Sequence, residues 1–339
     1  MKRMAGFRNL PMFVTLGLFI VMFGTGSIAF PGFFSVQNFL NLFIDNSFLL
    51  ILAVGMTFVI ISGGIDLSVG SVLALSGMVT AKLLEQVHMS PLLVIPIVLA
   101  MGTALGLFMG YLIQTFELPP FIVTLAGLYL ARGLCYIVNL FTIAVTNPYF
   151  VAAAHAQVFI IGTSFLSPGA IVAIVVVLVG FFVSRYTKFG RTVFAIGGSE
   201  QSAILMGLPV ARTKIAIYGL SGFCAALAGL VFTLYTLSGY GLNGSGMELD
   251  TIATVVIGGT LLTGGVGNIF GTVLGVFVYG TIQTLIVFQG TLNSWWTRIA
   301  IGFLVFVFCL LQRLFESRKA RAAVRGPLTQ PAGAGASQG

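Results

Sequence analysis

Charged side chains are scarce in this chain of 339 residues: Asp, Glu, Lys and Arg together make up 7% of it. Soluble globular domains carry about 25% charged residues. Because so few ions cannot cover the surface of a fold that is 58% hydrophobic, the composition excludes a soluble globular protein. A mean hydropathy of +1.09 indicates an all-α, polytopic membrane protein.

Residues for catalysis and metal binding are also few. The odd number of cysteines, all in apolar runs (Cys135, Cys224 and Cys309), argues against a disulfide framework or a metal site. His88 and His155 are isolated from each other and predict no metal site. The chain has no GxxxxGK[ST] motif, which excludes ATP binding by a P-loop. No enzyme constellation is present, and few carboxylates are available for an ion relay within the membrane.

Apolar runs separated by polar turns predict about ten membrane helices, since a span needs about 20 apolar residues. They cover residues 10–30, 44–62, 69–84, 91–114, 121–141, 169–184, 215–238, 251–263, 269–288 and 296–311. Residues 1–9 form an N-terminal tail, 10–313 the membrane domain, and 314–339 a basic, disordered tail. If both termini are cytoplasmic, all of the 16 cations except Lys82, Arg132 and Arg298 lie on the inside, as the positive-inside rule requires.

The stretch 55–77 carries a carboxylate between two apolar runs. Gly63 and Gly64 break the first run, and Asp66 and Ser68 precede the second. A charge at a helix centre costs about 2.5–3.5 kcal/mol on insertion scales. Asp66 or Ser68 therefore caps the next helix, or Asp66 takes part in transport, and the two roles can coexist. A second Gly-rich break at 263–267 gives each half an interrupted helix, an arrangement seen at transporter pathways.

The longest internal polar segment, 185–214, predicts a short helix outside the membrane. Ser199 is a suitable N-cap for residues 200–206, and Gly207 followed by Pro209 ends the helix. Such a helix either docks into another protein or lies on lipid. Arg132, in the fifth span, either lines a water-filled interior or pairs with a carboxylate such as Asp66, or else binds backbone carbonyls as a packing residue.

Several motifs give the chain a resemblance to a known family. They include Gly55-Met56-Thr57, Ile65-Asp66-Leu67-Ser68-Val69-Gly70-Ser71, Phe189-Gly190-Arg191, Gly197-Gly198 and the run 246–271. In these motifs the chain resembles the membrane permease of bacterial ABC sugar importers of the ribose, xylose and galactofuranose group. Glu248-Leu249-Asp250 and Ser294-Trp295-Trp296-Thr297 resemble the galactofuranose-type permeases most closely.

The resemblance implies a transport subunit in the bacterial inner membrane that is not itself an enzyme. Its partners would be a cytoplasmic ATPase that binds the ATP, a periplasmic sugar-binding protein and a second permease, identical or paralogous. The chain itself would need no cofactor. The family's coupling helix corresponds to 201–207, with Gly198, Glu200, Gln201, Ala203 and Gly207 as its candidate residues.

The same resemblance suggests a sugar pathway lined by small, polar and aromatic groups. Candidates for the pathway are Asn38, Asn46, Asp66, Ser68, Thr260, Asn268 and Gln283. Arg298 is a candidate for docking the binding protein, with Glu248 and Asp250 either at the same surface or as its simple partners. The alternative function is a stand-alone secondary transporter or channel, which interrupted helices would serve equally well but which has no need of a docking helix.

Overall fold

The computed structural model describes residues 10–291 and 295–324, and most of them are helical. The helices are α1 (Leu10–Ala29), α2 (Val36–Asp45), α3 (Ser47–Ile61), α4 (Val69–Glu85), α5 (Pro91–Thr115), α6 (Pro120–Val138), α7 (Pro148–His155), α8 (Pro168–Tyr186), α9 (Lys188–Gly198), α10 (Glu200–Leu205), α11 (Val210–Thr236), α12 (Met247–Ile257), α13 (Ile269–Gln289) and α14 (Trp295–Val324). Strand β1 (Ile143–Ala144) pairs antiparallel with β4 (Ser238–Gly239), and β2 (Val158–Ile161) pairs antiparallel with β3 (Ser164–Leu166). The predicted all-α, polytopic class is confirmed.

Six helices are long and apolar enough to cross a membrane: α1, α5, α6, α8, α11 and α13. Helices α2 and α3 together make a seventh candidate, bent by 58° at their junction. Among the described residues, α4 has 17 residues and α12 has 11, and most of both is buried against other helices. Helices enclosed by protein need not match the thickness of the lipid. Six or seven spans are thus supported, while the count of ten and the cytoplasmic termini remain predictions.

Helices α3 and α11 form the centre of the molecule. Every residue of α3 except Phe48 is buried, so this helix has no lipid-facing side. Helix α11 packs closely along α5 through glycines, because a Cβ at Gly106 would overlap the carbonyl oxygen of Tyr218 and one at Gly222 would overlap that of Gly102. Small residues allow such backbone approach between membrane helices.

The segment 185–214 is more helical than the sequence indicated. Helix α9 occupies Lys188–Gly198 and is capped by Thr187, whose hydroxyl accepts from Gly190 N at 3.1 Å. The glycines of this stretch hid the helix, because Gly lowers helix propensity by about 1 kcal/mol. Helix α11 then begins at Val210, five residues before the predicted span.

The C-terminal tail also departs from expectation in part. Helix α14 continues to Val324, although disorder was expected from residue 314. Seven of the eleven residues in 314–324 are Ala, Arg, Lys or Leu, which are strong helix formers. The rest of that tail, and the N-terminal tail 1–9, lie outside the described residues.

Candidate functional site

A cavity of about 590 Å³, lined by both polar and apolar side chains, lies beside the bend between α2 and α3 and the start of α12. Its walls come from α2, α3, α11, α12, α13 and the start of α14. We call it the central cavity. Its polar lining consists of Asn38, Asn41, Asp45, Asn46, Tyr235, Asp250, Tyr279, Gln283, Thr284 and Thr297. Three of the predicted pathway residues, Asn38, Asn46 and Gln283, are therefore brought together.

The bend between α2 and α3 places Asn46 at the cavity wall. Its side-chain amide donates to Leu42 O at 3.1 Å, which satisfies a carbonyl exposed at the bend. On the facing helix, a Cβ at Gly280 would lie 2.5 Å from Asn46 Nδ2. Glycine at 280 therefore lets α13 approach the bend closely.

The start of α12 forms another part of the cavity wall. Gly246 precedes this helix with φ +88°, a conformation that L-residues rarely adopt. Asp250 follows in the first turn, where the helix dipole favours a negative charge. Half-helices that begin or end at a cavity are a recurring way to build transporter sites.

Two tyrosine–aspartate pairs border the cavity. Tyr235 OH donates to Asp45 Oδ1 at 3.2 Å, and Tyr279 OH donates to Asp250 Oδ2 at 3.1 Å. The sequence analysis did not single out Asp45, Tyr235 or Tyr279. Asp45 could have been noticed as one of only eight acidic residues beside a predicted pathway residue, whereas the tyrosines carried no signal.

The structure places Asp66 and Ser68 away from this cavity, in the packed interior. Asp66 Oδ1 accepts from Ser68 N at 2.9 Å and from Ser68 Oγ at 2.6 Å, and Ser221 Oγ of α11 donates to Asp66 Oδ2 at 2.6 Å. The carboxylate is fully buried, so it fastens the turn before α4 to α11. These bonds give Asp66 a structural role in the turn before α4, although the N-cap residue itself, Ser68, makes no side-chain capping bond.

The other two pathway candidates lie at the opposite end of α12 and α13. Thr260 is buried in the turn that follows α12. Asn268 is the N-cap of α13 and its Oδ1 accepts from Phe270 N at 3.0 Å. It also lines a second cavity, of about 490 Å³, together with Arg185 and Arg191.

Arg132, in the candidate membrane span α6, donates hydrogen bonds to backbone carbonyls of a neighbouring loop. Arg132 Nη1 donates to Gly241 O at 2.6 Å and to Asn243 O at 2.8 Å. These carbonyls belong to the loop between β4 and α12, so Arg132 holds the segment that leads to the central cavity. The packing alternative for this residue is the one that the contacts support.

The three docking candidates lie near one another at the start of α12 and α14. Glu248 Oε1 accepts from Gly246 N at 3.2 Å, and its other oxygen faces Gly70. The exposed Arg298 guanidinium lies 4.8 Å from the ring centre of Trp295. A Cβ at Gly246 would be 3.9 Å from Arg298 Nη2, so Arg298 borders the N-terminus of α12, whose first turn carries both carboxylates.

The short helix outside the membrane is present as predicted. Helix α10 covers Glu200–Leu205, with Ser199 Oγ accepting from Ser202 N at 3.2 Å. It ends in a Schellman motif, in which Gly207 N bonds Ile204 O at 2.9 Å and Leu208 N bonds Ala203 O at 3.1 Å. Gly207 has φ +72°, as this motif requires.

The faces of α10 differ in burial. Ala203 is buried against Ile196 and Val210, and Glu200 forms an ion pair with Lys214. Gln201 is exposed, as are Ile204 at 56%, Leu205 at 88% and Met206 at 65%. Three adjacent, exposed apolar side chains beside a tight turn form a surface suited to a protein partner.

Comparison with known proteins places this arrangement in a family. A family model described as "Branched-chain amino acid transport system / permease component" matches residues 38–309. The chain belongs to this permease family. No solved structure matches it.

Curated relatives of this permease have names that refer to ABC transport and sugar import. It is 49% identical over 95% of its length to the inner membrane ABC transporter permease protein YjfF of Escherichia coli K12, with 99% of that protein covered. It is 40% identical to the fructose import permease FruG of Bifidobacterium longum (90% and 91% covered). It is 36% identical to the ribose import permease RbsC of Haemophilus influenzae (88% and 92% covered).

The expected resemblance to ABC sugar permeases is thereby confirmed. The permease is a multi-pass inner-membrane protein and not an enzyme, since ATP hydrolysis belongs to a separate ATPase. An ATPase and a substrate-binding protein are its partners. This membership displaces the alternative of a stand-alone carrier.

Proposed function

We propose that this permease moves a furanose or pentose sugar, with galactofuranose as first candidate, through the central cavity by alternating access. The observation that carries the proposal is the cavity itself, bordered by the bend at Asn46 and by the start of α12. Its volume of about 590 Å³ falls within the range of small-molecule sites, about 300–1,000 Å³. A second permease, identical or paralogous, would complete the pathway.

The chemistry of the cavity suits a sugar. The carboxylates of Asp45 and Asp250 and the amide of Gln283 can exchange hydrogen bonds with hydroxyl groups. Phe48 and Phe288 also line the cavity and offer ring faces to the apolar side of a sugar ring. Because water competes for each polar contact, binding stays weak enough to allow release.

The positions of two sequence motifs favour galactofuranose as the substrate. Asp250, from the Glu248–Asp250 motif, and Thr297, from the 294–297 motif, both line the central cavity. These are the two motifs in which the chain resembles galactofuranose-type permeases. Competition by unlabelled galactofuranose, ribose and fructose against labelled uptake would test the choice, and stronger competition by ribose or fructose would overturn it.

We infer that α10 is the element that docks into the ATPase, with its exposed Ile204, Leu205 and Met206 entering a cleft of that subunit. The matched pair Gly207→Asp and Gly207→Asn tests this role. Asn and Asp tolerate positive φ similarly, so both variants bear the same backbone cost and differ in one charge.

We expect Gly207→Asp to reach the membrane at normal abundance but to lose uptake and co-purification of the ATPase. Gly207→Asn should keep a substantial part of both activities, because the apolar docking surface stays uncharged. Undiminished uptake by Gly207→Asp would remove the docking role from α10. Equal loss in both variants would attribute the defect to the backbone and not to the docked surface.

A further inference from the structure

Three backbone segments meet at the end of α3 that lies away from the central cavity, and we call this meeting point the glycine junction. They are the end of α3 with its following turn (61–64), the end of α9 (197–198) and the loop between α12 and α13 (263–267). Gly265 N donates to Ile61 O at 2.8 Å. A Cβ at Gly197 would overlap both the carbonyl oxygen of Ile61 and the amide nitrogen of Gly265. Gly197 therefore sits directly on the bond that joins the two halves of the chain.

At Gly197 and Gly264 the contact is made by backbone atoms alone, and the Ile61 side chain packs beside it against Gly267. A Cβ at Gly264 would lie 3.0 Å from Gly63 N and 3.1 Å from Gly197 O. Gly63 and Gly264 have φ +86° and +85°, so the turns themselves require glycine. Without intervening side chains that could change rotamer, a shift of one segment displaces the others directly.

Gly197 is rigidly connected to α10. Ser199 is both the last cap of α9 and the N-cap of α10, which leaves no flexible linker between the helices. Ile196 of α9, Ala203 of α10 and Val210 of α11 form one buried cluster. A displacement of α10 is therefore carried to Gly197.

On the other side, three helices run from the junction to the central cavity. Helix α3 ends at Ile61 and begins beside Asn46, 15 residues away, or about 22 Å along a helix axis. Helix α12 carries Asp250 and its far end leads into the junction loop. Helix α13 begins after this loop and carries Gln283.

We propose that Gly197 is the positioning residue through which movement of α10 reaches the walls of the central cavity. The inference rests on the proposed docking of α10 to the ATPase. When α10 is displaced, Gly197 presses on the Ile61–Gly265 bond and moves α3 and the α12–α13 loop together. The bend at Asn46 and the start of α12, which both border the cavity, then change position together.

The variants Gly197→Ala and Gly198→Ala form a matched test. Both add one methyl group to α9 and both replace glycine by a better helix former. A Cβ at Gly198 would meet nothing within 4 Å, whereas the one at Gly197 must push α9 off the junction. The docking surface of α10 is unchanged in both.

Gly198 was a coupling-helix candidate in the sequence, but the structure places it in α9 and not in α10. Because its Cβ would meet no neighbour, we expect Gly198→Ala to behave as the wild type. Gly197→Ala should assemble with the ATPase and keep basal ATP hydrolysis, while sugar uptake and stimulation by sugar-loaded binding protein fall about tenfold or more, a usual size for coupling between sites. A general packing defect would instead lower assembly, basal hydrolysis and uptake in parallel. Parallel loss, or wild-type coupling in Gly197→Ala, would overturn the proposal.

Hydrogen exchange on the wild-type complex gives a test that needs no variant. Exchange in the peptide containing Gly265 should change when ATP binds to the ATPase, because the Ile61–Gly265 bond is displaced. The β2–β3 hairpin should show no change. If the Gly265 peptide is also unchanged, the junction does not move. If Gly207→Asp stops uptake while Gly197→Ala behaves as Gly198→Ala, the junction proposal fails and the docking role stands.

Discussion

The hydrogen bond between Ser221 and Asp66 predicts that the buried hydroxyl group of Ser221 contributes to the stability of the fold. Ser221 is 1% exposed and its Oγ donates to Asp66 Oδ2 at 2.6 Å. In Ser221→Ala, this carboxylate oxygen loses its partner on α11. A hydrogen bond to a charged group is worth about 1.5–3 kcal/mol, and the free energy of unfolding should fall by about that amount.

Ser76→Ala is the matched control. Ser76 lies in α4, is 0% exposed, and its Oγ has no hydrogen-bond partner within the residues that the structure describes. Removing an unsatisfied buried hydroxyl costs no bond and relieves a desolvation penalty. We expect Ser76→Ala to be as stable as the wild type or slightly more stable.

Thermal unfolding of the detergent-purified permease, with sugar uptake measured in cells, would separate the two roles of Asp66. A capping role predicts a lower unfolding temperature for Ser221→Ala and uptake that falls only in proportion to abundance. Wild-type stability together with lost uptake would refute the structural account. Equal destabilisation of both variants would refute the assignment of the hydrogen bonds.

Two further predictions concern anchors outside the cavity. Burial alone would raise the pKa of Glu85, but bonds from the Thr146 hydroxyl and from the amides of Thr146 and Asn147 hold that pKa below its usual range. The ionised Glu85 side chain therefore contributes its full stabilisation above the usual pKa of a glutamate and loses it on acidification. Glu85→Gln should accordingly show a smaller drop in unfolding temperature than the wild type between neutral pH and about pH 4. An equal drop in both proteins would contradict this account. Arg132→Met removes two hydrogen bonds to loop carbonyls and should lower the free energy of unfolding by about 2 kcal/mol or more. Arg132→Lys should recover part of this loss. Wild-type stability of Arg132→Met in chemical unfolding would refute the anchoring role.

Local signals in the sequence predicted the short elements well. Ser199 and Gly207 defined α10 because capping chemistry depends on a few neighbouring residues. Asn38, Asn46 and Gln283 could be proposed because polar side chains within apolar runs are costly and therefore conspicuous.

Long-range pairing could not be predicted in the same way. The sequence does not show that Ser221 meets Asp66, 155 residues away, so capping and transport roles for Asp66 remained equally open. Tyr279 has no local feature that marks it as a partner of Asp250. The two Gly-rich breaks suggested a shared pathway, but nothing local indicated that they would contact each other and that Gly197 would pack on this contact.

The central place of α11 has a consequence for biosynthesis. Residues 10–209 are made before this helix exists, yet the glycine face of α5 packs on it and Asp66 Oδ2 accepts its hydrogen bond from it. Chains leave the ribosome N-terminus first, so the first half enters the bilayer with Asp66 lacking its bond from Ser221 and with the glycine face of α5 uncovered. We therefore expect these contacts to form only when α11 is complete, and chains stopped before residue 210 should be substrates for membrane proteases.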